Sequence, residues 1–437
     1  MKVLLIDNMS SFLDFALRCK AAKHEVRVYM SPDKRGDRST VGDGMIDKVA
    51  DWRPSMRWAD IIITSDNAKL LRDIEPYRRA GYPVFNAHKD LTAWELDREV
   101  GQKSFDEAGI KTIPSIPFTS YDKAIAFVEK TGKRYVSKPN GDVDKALTYV
   151  SKGPADMIAM LERWKKLNKL RAPFILQEFI PGIEMAVSGY FGPNGFSKYF
   201  LENFEFKKLM NDDKGVATGE QGTCVAYVED SKLADMVLKP FAPELFRQGY
   251  CGFIDVAVMI DEKGTPWPME HTITRFGWPL WQIQQALHPE PVEWMLDLLD
   301  GFDSFKPLPD IAVGVVVTMP DFPYSHLTKK AVSGFPIWGV TPANRQHVHL
   351  AEAKMGIAPV LKGGKIVREA MPVTAGDYVY VATGTGKTVS QAASNAYKIV
   401  DQIEIPNSPM YRTDIGKRLE KQIPKLHKLG FATSWRY

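Results

Sequence analysis

A chain of 437 residues has room for roughly three domains, at about 150 residues each. Its 44% hydrophobic and 25% charged residues are an ordinary globular balance, and a formal net charge of +4 gives no argument for nucleic acid or a membrane surface as partner, though it tolerates an anionic substrate. Cys19, Cys224 and Cys251 lie far apart without metal-ligand spacing, which fits a reducing cytoplasm; the start MKVLLIDNMSSFLDF is a poor signal peptide, and no apolar run nears the ~20 residues that span a bilayer.

In chain order, VLLID (3–7), VRVYM (26–30), IIITS (61–65) and PVFNA (83–87) are short β-rich runs, with helical patterns between most of them. That alternation predicts a parallel sheet covered by helices. LTAWELDREVGQKSFDEAG reads as one helix, followed by the turn IKTIPSIP and strands near YVSK (135–138) and PFILQEFI (173–180). GFIDVAVMI and TPWPMEHTIT flank Asp261-Glu262-Lys263-Gly264 and read as an antiparallel pair. WQIQQALHPEPVEWMLDLLDGF is a helical segment interrupted by Pro289 and Pro291, and SFKPLPD (304–310) looks like a boundary. A last unit of mostly β character ends in the helix TVSQAASNAYKIVDQI, and the basic IGKRLEKQIPKLHKLGF reads as a solvated helix face.

Several residues stand out chemically. Lys138 ends a β-like run just before an Asn-Gly turn, where a lysine and turn amides can meet a phosphate. Gln177-Glu178-Phe179-Ile180, a Pro-Gly turn and Glu184 suit an adenosine cleft, with backbone groups for adenine and a carboxylate for ribose hydroxyls. Asp255 and Glu270 lie on the two strands of the expected hairpin, roughly opposite each other. Carboxylates in apolar strands are costly unless paired or bound to metal, and two converging suit Mg²⁺. Thr272 shares a strand face with Glu270, and Arg275 follows, placed to neutralise a transferring phosphoryl group or an acyl phosphate.

Lys103, Lys138, QEFIPGIE and the Asp255/Glu270 hairpin, in this order, resemble an ATP-grasp ligase, and more closely the phosphoribosylamine–glycine ligase (glycinamide ribonucleotide synthetase) family. The likeness runs almost end to end. Its most specific pieces are KKLMNDDKGVATGEQG (207–222), EHTITRFG beside the family's EFNxRFG, and VATGTGKTVSQAASNAYKIVDQI…YRTDIGKRL. The resemblance implies an α/β multidomain chain: a Rossmann-like pre-ATP-grasp domain (1–92), an ATP-grasp core (93–305) with a lid at about 113–180, and a mostly β C-terminal domain (306–437). ATP would lie between lid and core. It implies ATP and Mg²⁺ as cofactors, with Mn²⁺ as an alternative ion, and cytoplasmic purine-biosynthesis chemistry: a carboxylate is phosphorylated, an amine attacks, and an amide, ADP and phosphate result.

Carried over, Lys103 and Lys138 bind ATP phosphates, Gln177 to Ile180 the adenine and Glu184 the ribose. Glu270, with Asp255 and Thr272, holds the metal. Arg275 and Lys138 act in catalysis, and Lys207, Thr218, Gly219, Arg275 and Gly277 contact substrate. The implied partners are a small carboxylate and a small amine, a nucleotide acceptor included, with neither membrane nor nucleic acid; the protein is a monomer or homodimer.

The departures cluster. The family's first turn is of Gly-Gly-Arg-Glu-His type, cradling the phosphate of phosphoribosylamine; here it reads Asn8-Met9-Ser10-Ser11-Phe12, with neither glycine nor arginine. Its Gly-Pro-Glu turn has become Ser65-Asp66-Asn67-Ala68, and its glycine-rich lid loop is reduced to Gly141-Asp142-Val143-Asp144-Lys145. Trp278-Pro279-Leu280 replaces Asp-Pro-Glu, and the metal asparagine has become His271 or Thr272. Asp255 resembles instead the metal aspartate of ligases such as D-alanine–D-alanine ligase. The expectation is an ATP-dependent carboxylate–amine ligase with a different acceptor, Arg35 and Arg38 of SPDKRGDRST offering a replacement anion site; the alternatives are the authentic purine enzyme and a non-catalytic nucleotide-binding relative. One lure is set aside: GTGKT (384–388) lacks the first glycine of a P-loop, since Val381 stands there, so Thr388 is expected to cap a helix.

Overall fold

The computed structural model describes all residues except 33–35, 66–68, 87, 140–147, 168–172 and 325–328. The chain forms two compact units: Met1–Thr92 with Ala186–Asp255 and Thr272–Tyr437, and Ala93–Met185 with Val256–His271. The architecture is mixed α/β, as expected. Among the described residues no helix is long and apolar enough to cross a membrane.

In the first unit, four parallel strands run in the order Glu25–Met30, Lys2–Asp7, Ile61–Ser65, Val84–Phe85. Their continuous apolar runs are buried throughout from Val3 to Ile6 and Ile61 to Ile63, the pattern of a sheet covered on both faces. On one side Leu4, Ile6 and Ile62 pack with Trp52, Met56 and Ile74. The helix Leu13–Ala21 buries Phe15, Ala16 and Cys19.

A second sheet orders Pro266–Thr272, Gly252–Ile260, Ile183–Gly192, Gly195–Glu205, Gly222–Val228, Ile311–Thr318, Tyr378–Gly386 and Val348–Leu350. The proline-rich stretch at 304–310 leads straight into Ile311–Thr318, which pairs antiparallel with Gly222–Val228. Helix Val389–Val400 lies on Tyr378–Gly386 so closely that a Cβ on Gly384 would meet Ala396 N at 2.2 Å. Thr388 is its N-cap, its hydroxyl accepting from Gln391 N at 3.1 Å. Gly384 and Gly386 lie within the strand and against this helix, so the strand runs further than the glycine content suggests.

In the second unit, Ser115–Phe118, Phe174–Glu178, Tyr135–Pro139 and Tyr149–Val150 form an antiparallel sheet in that order. Helices Tyr121–Thr131 and Pro154–Lys166 cover it, burying Val128, Met157, Leu161 and Trp164 against Tyr135, Phe174 and Leu176. The helix expected over LTAWELDREVGQKSFDEAG is two, Ala93–Leu96 and Arg98–Glu107. Asp97 divides them, because its carboxylate caps the second by accepting from Glu99 N (2.9 Å) and Val100 N (3.2 Å). The hairpin strands Gly252–Ile260 and Pro266–Thr272 are neighbours, closed by Asp261 N donating to Thr265 O and Gly264 N to Asp261 O.

Candidate active site

Gln177 is buried on Phe174–Glu178, its Nε2 donating to Ser115 Oγ at 3.2 Å. With Ile175, Arg98, Gln102, Met269 and Glu270 it lines a cavity of ≈ 60 Å³, room for a few water-sized groups and so the polar floor of a site. Just beyond, the backbone is only partly committed. Glu178 N donates to Pro114 O (2.9 Å) and Phe179 N to Arg134 O (3.1 Å), while Ile180 N has no partner among the described residues. The Glu178 carboxylate turns to Lys133 at 3.0 Å, and the Phe179 ring lies under the Arg134 guanidinium, 3.3 Å from its centroid. An edge that exposes a backbone donor beside an aromatic face suits a planar heterocycle.

The Pro-Gly turn that follows presses on the hairpin: a Cβ on Gly182 would lie 2.3 Å from Ile260 O, so only glycine fits. Glu184 is the second residue of the next strand, Ile183–Gly192, and is half-buried. Lys138 is half-buried on Tyr135–Pro139, opposite Ile175. Lys103 is exposed on Arg98–Glu107, pairs with Glu107 at 3.3 Å and does not line the cavity.

Along Pro266–Thr272, Glu270 is exposed, His271 buried and Thr272 half-buried, the alternation of a half-covered strand. His271 faces inward. Its ring stacks on Phe105 at 4.0 Å, Nε2 meets Ser104 Oγ at 2.9 Å, and burial depresses its pKa to about 3. Of the two residues that stand where the family has its metal asparagine, Thr272 is the one on the Glu270 face.

In the first unit, Asp255 is buried, with Oδ1 accepting from Ser188 Oγ (2.6 Å) and Asn203 Nδ2 (3.1 Å). Burial first, and then the charge of Glu205, push its pKa up to about 7. Glu205 pairs with Lys207 at 2.9 Å, and the Lys207 carbonyl accepts from Thr218 N (2.8 Å) and Oγ1 (2.9 Å). Asp255, Lys207 and Thr218 are thereby brought into one polar cluster, with Gly219 following at an open position. Ser188, Asn203 and Glu205 escaped sequence reading, although the alternation in NFEFK (203–207) places Asn203, Glu205 and Lys207 on one strand face.

The N-terminal turn holds a further missed residue, Asp7. This carboxylate is wholly buried and accepts from Met9 N (2.9 Å), Phe12 N (2.7 Å) and Ser11 Oγ (3.3 Å). Burial still lifts its pKa to about 6. Without glycine the turn places Ser10 at φ 59°, and Ser10 Oγ meets Ser39 Oγ at 2.9 Å. Arg275 Nη1 approaches Met9 Sδ at 3.7 Å, Gln282 Nε2 donates to Ser11 O, and Gly277, at φ 80°, turns the chain between them. Arg38 pairs with Asp43 at 2.9 Å, while Arg35, Asp66 to Ala68 and Gly141 to Lys145 lie outside the described residues.

No family model matches the chain. It is 26% identical over 365 residues to the phosphoribosylamine–glycine ligase of Vibrio cholerae, covering 79% of this chain and 80% of that one. The crystal structure of phosphoribosylamine–glycine ligase from Thermotoga maritima superposes with a TM-score of 0.70 at 19% identity, over 95% of this chain and 100% of that chain. This chain has the ATP-grasp fold. The biotin carboxylase domain of Hydrogenobacter thermophilus 2-oxoglutarate carboxylase, solved with MgADP, ADP and bicarbonate, also superposes, with a TM-score of 0.61 at 12% identity over 100% of this chain and 98% of that chain. In this ATP-grasp chain the second unit carries the open strand edge and Glu270, and the first unit carries the Asp7 turn and the Asp255 cluster.

Proposed function

We propose that this ATP-grasp protein is an ATP-dependent carboxylate–amine ligase whose amine acceptor is not phosphoribosylamine. The γ-phosphoryl group passes to a carboxylate oxygen and ADP leaves. The amine nitrogen then bonds to the acyl carbon, the bond to the phosphate oxygen breaks, and phosphate and a proton depart. By role we divide the chain into 1–92, 93–305 with a lid at about 113–180, and 306–437.

The ATP-side reading draws support from the strand edge at Glu178 to Ile180, beside which adenine stacks on Phe179 and accepts from Ile180 N. Glu184 takes the ribose, and Lys138, assisted by Lys103, the phosphates. The donor set fits Mg²⁺ or Mn²⁺: Glu270 offers an exposed carboxylate, Thr272 a hydroxyl on the same face, and Asp255 its Oδ2, since Oδ1 already carries two hydrogen bonds. Such an ion supplies charge neutralisation on the transferring phosphoryl group. Arg275 offers a guanidinium to the acyl phosphate, and Lys207, Thr218, Gly219 and Gly277 shape the substrate side.

One observation carries the acceptor reading. The amides of the N-terminal turn, which the family turns toward a substrate phosphate, are here taken by the protein's own Asp7 carboxylate. A second anion at that turn would meet buried negative charge without a compensating donor. The test measures ADP release with Mg-ATP, first with phosphoribosylamine and glycine, then with amino acids crossed against amines lacking phosphate. Turnover is expected only in the second set. Efficient turnover in the first would overturn the acceptor reading, and silence in both would favour a non-catalytic relative.

A further inference from the structure

We propose that the first unit holds a second small-molecule site, built for an apolar organic anion and independent of the ligase reading. It is a cavity of ≈ 650 Å³, within the roughly 300–1,000 Å³ typical of ligand pockets. It shares no lining residue with the cleft around Gln177 and Glu270, and none of the expected site residues borders it.

The wall is mostly apolar and stiff. Leu17 and Ala21 of helix Leu13–Ala21 form one side, and Val348, Leu350 and Met355 another. Four prolines, at 289, 291, 342 and 372, restrict the backbone around it. Such a surface favours a ring or branched chain without demanding rearrangement.

The charges at the cavity are unequal. Arg18 and Arg345 are cationic, and Asp14 is the carboxylate. Asp14 Oδ2 is committed to His349 Nδ1 at 2.8 Å, and His349 Nε2 in turn meets Thr383 Oγ1 at 2.9 Å, so that carboxylate is held in a chain of buried partners. Arg18 is anchored through one nitrogen only, Nη2 donating to Gln285 O (2.8 Å) and His288 O (3.4 Å), which fixes the guanidinium plane. Arg345 is exposed, and its side chain has no partner among the described residues. Two guanidinium groups at an apolar cavity, one fixed and one uncommitted, are the arrangement that recognises a carboxylate or sulfonate on a hydrophobic body.

The experiment uses 8-anilinonaphthalene-1-sulfonate with the full chain, read by fluorescence. We expect one dye per chain, unaffected by saturating Mg-ATP. The neutral N-phenyl-1-naphthylamine should bind at least tenfold more weakly. Arg345→Glu, at an exposed position, and Ala21→Trp, which fills the cavity, should each lower dye affinity at least tenfold with an unchanged circular dichroism spectrum. Displacement of the dye by Mg-ATP, equal binding of the neutral probe, or indifference to both substitutions would overturn the proposal.

Discussion

Two apolar strands of this protein run into turns to which the proposed function assigns ligands, and they treat their backbone donors in opposite ways. Lys2–Asp7 ends in a carboxylate that folds back and takes the amides of Met9 and Phe12. Phe174–Glu178 runs on with Glu178 N paired to Pro114 O and Phe179 N to Arg134 O, while Ile180 N has no partner among the described residues. The first turn takes up its own donors; the second, among the described residues, leaves one. The contrast teaches that similarity along a whole chain can conceal local difference: under the proposed reading the edge assigned to ATP keeps an amide to offer, whereas the turn assigned to the acceptor is filled from within.

The largest effect should come from Glu270→Gln. The substitution is nearly isosteric at an exposed position, so the fold should survive, while Mg-dependent ADP release should fall by at least the roughly 10–100-fold typical of losing even a supporting group around a metal. Steady-state kinetics across Mg²⁺ concentrations, with circular dichroism as control, reads this. Full activity would break the idea that the second unit is the retained half.

Asp7→Asn sharpens the other half. The folded-state pKa of Asp7, about 6, lies above its unfolded value of about 3.8, so the native state binds the proton more tightly. The stability this contributes is fully present below about pH 4 and is lost as pH rises toward 6. Wild type should therefore lose stability relative to the variant across that window, by about 1.4 kcal/mol for each unit of pKa difference. Urea unfolding at pH 4, 5, 6 and 7 measures it. A pH-independent difference would mean that the carboxylate is not buried as the turn places it.

Much of the fold was legible because periodicity and punctuation agreed. IIITS gave Ile61–Ser65 residue for residue, and the hairpin around Asp261 follows its turn signal. Other features were hidden for identifiable reasons. An aspartate at a strand end reads alike whether it faces solvent or its own amides, so Asp7 was passed over. His271 looked eligible for metal, and only the inward stacking on Phe105 settles its direction. Asp97 read as one more polar residue on a helix, although capping competes with helix continuation at aspartate. The pairing of Ile311–Thr318 with Gly222–Val228 is a long-range fact that composition does not carry.

The smallest effects should appear at a third strand end, the one that most resembles a nucleotide loop. Tyr378–Gly386 runs into Lys387 and Thr388, but Lys387 Nζ pairs with Asp310 at 2.7 Å and the lysine is exposed. Thr388 spends its hydroxyl on Gln391 N, and Gly384 is a packing residue beneath the following helix. Thr388→Ala should therefore cost about 1 kcal/mol of stability through the lost cap and leave nucleotide affinity unchanged. Chemical denaturation and ATP titration of the same variant separate the two readouts. A loss of ATP affinity without a loss of stability would return this turn to the nucleotide site; the reverse pattern confines Thr388 to capping its helix.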